Sequence, residues 1–122
     1  MDAKTFAEEL LKSLSEIELL TRVNVETEKP IVKGYAYTSS GDIFLRFYFN
    51  ELTGTMAFAL IKENRRIWGI DCDNQRGWHR HPEEQPENHV AIAPLAIAEI
   101  VRCLQHVLLK RITPLPDSGE NT

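Results

Sequence analysis

A change of hydrophobic period near residue 20 constrains this chain more than any other feature. Before it, apolar side chains recur at helical spacing at Phe6, Leu10, Leu14 and Ile17, with Leu11 and Leu20 beside them, while Glu8, Glu9, Lys12, Ser13 and Glu16 fall elsewhere. This predicts one amphipathic helix within 4–20. After it the period becomes two, as a pleated strand requires. Val23, Val25 and Thr27 alternate with Arg22, Asn24 and Glu26, and Glu28-Lys29-Pro30 ends the run. Residues 31–38 follow, closed by Ser39-Ser40-Gly41-Asp42. The third segment, 43–50, puts Ile43, Leu45, Phe47 and Phe49 on one face and Phe44, Arg46, Tyr48 and Asn50 on the other. The fourth, 55–62, alternates Met56, Phe58 and Leu60 with Ala57, Ala59 and Ile61, and small residues there imply that something lies close to that face. The fifth, 67–73, runs out into polar residues. Connections this short are hairpin connections, so the sheet is expected to be an antiparallel meander.

A second helix is expected from Pro94, whose fixed φ suits a first helical position, through Ile97, Val101, Leu104 and Leu108. The expected architecture is α+β: N-terminal helix, five-stranded antiparallel meander, C-terminal helix (α-β-β-β-β-β-α), with both helices on one face. With 122 residues in all, the expectation is one domain over 1–113 and a flexible tail over 114–122. Apolar runs are too short to span a membrane and the N-terminus lacks a leader pattern, so the chain is expected to be cytoplasmic. Cys72 and Cys103 have neither metal-site spacing nor disulfide-scaffold density and read as reduced, buried small hydrophobes.

The net charge of −4 excludes a general polyanion binder. The charge is uneven, however. Residues 1–28 carry seven acids against three bases, whereas residues 62–80 carry five bases (Lys62, Arg65, Arg66, Arg76, Arg80) against three acids, so a local basic patch is expected. The run Lys62 to Arg66 reads as charges solvating a hairpin end.

Chemistry concentrates in 71–89, expected to be a long loop. It holds three of the four histidines, together with Asp71, Asp73, Asn74, Arg76, Trp78 and Arg80. Loops of that length in a small domain are usually functional or disordered, and its Trp/His/Asp/Arg mixture is unlike a disordered composition. Two chemistries remain open. His79 and His81 project to the same side of an extended segment and could share a divalent metal such as zinc, with His89 and Asp71 completing the ligand set. Without a metal, one histidine would take a proton from an RNA 2′-OH, another would protonate the leaving oxygen, Asp73 would assist, and Arg76 or Arg80 would stabilise charge on phosphate. Trp78 and Asn74 would contact a base. The bland alternatives are solvated loop histidines, an Asp73-Asn74 pair that only ends a strand, and a Trp78 that only covers the core. His106 reads as a surface residue of the last helix.

The stretch Asp73-Asn74-x-x-Gly77-x-His79-Arg80-His81, entered from an aromatic-bearing strand and followed by a further histidine and a helix, resembles the TumE-like toxin family of prokaryotic toxin-antitoxin systems. The likeness of layout extends over 31–108, with identity confined to that stretch. Gln75-Arg76 and the lone His89 depart from the family pattern. The resemblance implies a small growth-inhibiting protein with an antitoxin partner. The expected function is thus a toxin-like protein acting on RNA or nucleotides through 71–89. The alternative is a non-catalytic binding or assembly module that meets a partner through the sheet face bearing Tyr35, Tyr37, Phe44 and Tyr48. A homodimer is expected under either reading.

Overall fold

Asp2 sets the start of the first helix: its Oδ1 accepts the Thr5 N–H at 2.8 Å, closing one of the donors a helix N-terminus leaves open. In this computed structural model, which describes residues 1–112, that helix is α1 (Ala3–Leu14). It buries Ala3, Phe6, Leu10 and Leu14. Seven strands follow: β1 (Leu20–Glu28), β2 (Ile31–Thr38), β3 (Ile43–Asn50), β4 (Met56–Lys62), β5 (Arg65–Asp73), β6 (Gly77–His81) and β7 (Val90–Ala91). They pair in sequence order, each antiparallel to the next. The second helix, α2 (Ile97–Arg111), completes the chain. The boundary at 113 and the tail 114–122 lie outside the described residues.

The α+β class and the meander agree with the periodicity, but the sheet has seven strands, not five. Of the two extra strands, β6 falls in the stretch expected to be a loop and β7 directly after it. The strand β6 does alternate, yet its buried positions are His79 and His81 rather than aliphatic residues, so hydropathy could not reveal it. The helix α2 begins at Ile97, not at Pro94, and there the Glu99 Oε1 accepts the Ala96 N–H at 2.9 Å.

Alternation sorts the sheet into two faces. Val32, Ala36, Leu45, Phe47, Phe49, Phe58, Leu60, Trp68 and Ile70 are buried in one cluster with residues of α1 and α2, so both helices cover that face. Phe6 stacks on Phe49, centroids 4.5 Å apart and planes 8° apart, which fixes α1 to the strands. The open face carries Tyr35, Tyr37, Phe44, Arg46 and Tyr48, opposite Ala57 and Ala59. A groove of about 510 Å³ lies along this face, with those two alanines in its lining. Among the described residues no helix is long and apolar enough to cross a membrane.

Candidate functional site

Two turns position the site. Between β4 and β5, Glu63 and Asn64 both take positive φ (53° and 62°), the geometry of a two-residue hairpin loop whose twist matches the strands. A register shift between Leu60 and Ile61 then sets Arg66, rather than Ile67, opposite Ile61 and so turns Arg66 onto the open face. Between β5 and β6, Gly77 at φ 67° closes a hairpin in which the Asp73 Oδ1 accepts the N–H groups of Gln75 (2.9 Å) and Arg76 (2.6 Å). These hydrogen bonds, chiefly that from Arg76, hold the Asp73 carboxyl below the usual carboxylate range.

The register of β5, β6 and β7 then brings the histidines together. Asp71 pairs with His79, and Gly69 with His81. Arg80 pairs with Val90, which sets His89 beside His81 on the open face. Ring centroids are 5.4 Å apart for His79–His81, 5.2 Å for His79–His89 and 4.6 Å for His81–His89. One ligating atom of each lies within 4.8 Å of the others. His79 and His81 are 3% and 2% exposed although they sit outside the helix-covered core. Pro86 and His89 of the segment 82–89 lie against these rings, while Glu83 of the same segment faces Lys110 and Arg111 of α2, each at 3.4 Å.

The hydrogen bonds orient both buried rings. His79 Nδ1 lies 3.2 Å from the Gly77 carbonyl and His81 Nδ1 lies 2.9 Å from the Pro86 carbonyl; in the tautomer that satisfies both carbonyls each Nδ1–H donates to the backbone, and the Arg66 Nη1–H is left to donate to the His81 Nε2. Each Nε2 then faces the Asp71 Oδ2, at 3.4 Å for His79 and 2.9 Å for His81. Arg66 Nη1 lies against the His81 ring, 2.9 Å from Nδ1 and 2.7 Å from Nε2, while its Nε is buried without a partner among the described residues. Arg76 Nη1 donates to the His89 Nε2 at 2.9 Å. Desolvation first, then the Arg76 charge, pushes the His89 pKa down and favours the neutral ring.

Asp71, His79, His81 and His89 therefore stand together, with Arg76 attached through His89. The other expected site residues do not join them. Trp78 and Arg80 occupy the alternate positions of β6 and face the helix side, where Trp78 packs on the core and Arg80 borders a groove with α2. A base stacked on Trp78 or a phosphate held by Arg80 would be on the wrong side of the sheet from the histidines. Asn74 is an exposed turn residue and Asp73 is used by its hairpin, a positioning role through Arg76. His106 is exposed on α2, as expected; Cys103 is exposed too, contrary to expectation, and Cys72 is half-buried.

Arg66, Arg46 and Lys33 were not singled out as site residues by sequence. All three border the open-face groove, with Tyr35, Tyr48 and Asp71. Arg46 and Lys33 are visible as polar alternates of strands, but Arg66 depends on a bulge that no local pattern announces. Comparison of the chain with known protein families, with curated proteins and with solved structures gives no match.

Proposed function

We propose that the protein is a toxin-like enzyme that acts on RNA or a nucleotide at the open sheet face, in the cytoplasm, and is restrained by an antitoxin partner. One observation carries this reading: buried His79 and His81 and half-buried Asp71 converge beside a groove bordered by Arg46, Arg66, Lys33 and tyrosines. The groove volume of about 510 Å³ falls in the range of small-molecule sites. Guanidinium groups match phosphate oxygens as paired donors, and tyrosine rings offer a stacking surface to any base. Imidazole is the side chain most often used as general acid or base, and a phosphodiester or nucleotide reaction needs both. Arg66 takes the phosphate role expected of Arg80, and Tyr35 and Tyr48 the stacking role expected of Trp78.

The test pairs growth with RNA. The parent chain, expressed alone, is expected to arrest growth, and the purified protein to cleave RNA or consume a nucleotide, with activity falling at least about 100-fold in His81→Ala and Arg46→Ala. A harmless parent that leaves RNA and nucleotides intact would refute it.

A second reading has its own observation. Tyr35, Tyr37 and Phe44 form an aromatic patch with centroids 5.7 to 6.3 Å apart, and Tyr35 is 42% exposed. As an assembly module, the chain would self-associate there as a homodimer. Tyr35→Glu would then split the dimer while leaving the histidine cluster intact.

A further inference from the structure

We infer that His79 Nε2, His81 Nε2, Asp71 Oδ2 and the His89 ring form a binding site for one divalent transition-metal ion of the zinc class. The first ground is a mismatch of donors and acceptors. With both Nδ1–H groups on the carbonyls of Gly77 and Pro86, each Nε2 turns a lone pair toward Asp71 Oδ2, itself an acceptor; at His81 the Arg66 Nη1–H shares that lone pair, whereas the His79 Nε2 has no donor beside it among the described residues. A single metal ion between the three acceptors turns that repulsion into three bonds, and Arg66 Nη1, 2.7 Å from the His81 Nε2, must then withdraw from that atom.

The second ground is distance. Metal–ligand bonds of about 2.0–2.1 Å put neighbouring ligand atoms about 2.9–3.4 Å apart, the smaller value for octahedral and the larger for tetrahedral geometry. The separations of Asp71 Oδ2 from the two Nε2 atoms, 2.9 and 3.4 Å, span that range. Bringing in His89 from within 4.8 Å requires about 1.5 Å of closure. His89 is on the surface, next to the segment 82–89, and Arg76 must release its Nε2 if that atom is the ligand.

The third ground is the surrounding shell. Ligating histidines usually donate their other ring N–H to a carbonyl or carboxylate, which sets tautomer and orientation, and His79 and His81 already do so. Three imidazoles and one carboxylate suit zinc, cobalt, nickel or iron(II), not magnesium, which takes oxygen ligands. The binding does not depend on the identity of the substrate, so it can fail or hold apart from the proposed activity.

The full chain, stripped with a chelator, is titrated with Zn²⁺ and Co²⁺ by calorimetry, with Mg²⁺ as a comparison ion. One equivalent of Zn²⁺ or Co²⁺ is expected to bind and raise the melting temperature, with no such effect from Mg²⁺. His79→Ala and Asp71→Asn should each weaken binding at least about 100-fold, since even a residue behind the ligands typically accounts for 10- to 100-fold. His89→Ala, at a surface position, keeps the test valid if a buried variant fails to fold, and should weaken binding at least about 10-fold. His106→Ala should bind as the parent does. Absence of one-to-one binding at millimolar metal, binding unchanged in His89→Ala and Asp71→Asn, or X-ray absorption showing sulfur at about 2.3 Å, hence capture by a cysteine, would each overturn the assignment. RNA cleavage that persists in excess chelator, beside an absent metal signal, would refute the site while leaving the proposed activity standing.

Discussion

Replacing Phe6 by alanine tests how the helix layer is held to the sheet. Phe6 is fully buried, lies parallel to Phe49 at 4.5 Å and meets Phe58 at a 6.1 Å centroid separation. Truncating such a ring removes its transfer free energy and leaves a cavity, about 3–5 kcal/mol together. We take about 4 kcal/mol, including the part of order 1 kcal/mol that belongs to ring stacking. The unfolding entropy is about 2.1 cal/mol/K per residue, so the 112 described residues contribute about 0.24 kcal/mol/K and the melting temperature should fall by roughly 17 °C. Thermal melts followed by circular dichroism read this directly. A double-mutant cycle with Phe49→Ala should return a coupling of about 1 kcal/mol between the rings. The histidine cluster lies on the opposite face, built by β5 to β7, so Zn²⁺ affinity measured well below the melting range should not change. A fall of less than about 5 °C, or a coupling near zero, would mean that α1 is not seated through Phe6 and would refute the packing argument.

Gly34→Ala should cost about 3 kcal/mol or more, because its Cβ would stand 2.0 Å from the Asn24 carbonyl oxygen and 2.8 Å from Phe47 Cζ; a urea-melt difference below about 1 kcal/mol would contradict so close an approach of β1 to β2. Asp2→Asn keeps the helix cap but removes its titration. The hydrogen bond from Thr5 lowers the Asp2 pKa in the folded state, so its contribution is present above the unfolded value of 3.8 and is lost as pH falls through the folded value. The parent should therefore out-melt Asp2→Asn at pH 7, with the difference vanishing as the pH drops below that window; a gap that widens in acid would reverse the assignment.

What the sequence alone determined is local. Period-two alternation specified β2 and β3 residue for residue and the meander with them, because a strand with one buried face must show that pattern. Helical spacing located α1, although Ile17 continues the apolar stripe past its end at Leu14. The pairing of His79 with His81 on one side was likewise written in the spacing of an extended segment. Asp73, Asn74 and Gly77 also carried a hairpin signal, a capping side chain followed by a glycine suited to positive φ, and reading it as a turn would have revealed β6.

The rest was decided by tertiary structure. Pro86 and His89 reach the buried His79 and His81 only in the folded chain, and the meeting with Asp71 and His89 comes from the registers of three paired strands. Arg66 reaches the cluster through one extra residue in β5, which reverses the face that its side chain would otherwise take. Trp78 and Arg80 show the same physics from the other side. They lie within the same short stretch as the two histidines, yet strand geometry sends alternate residues to opposite faces, and only pairing with β5 decided which pair met the helices.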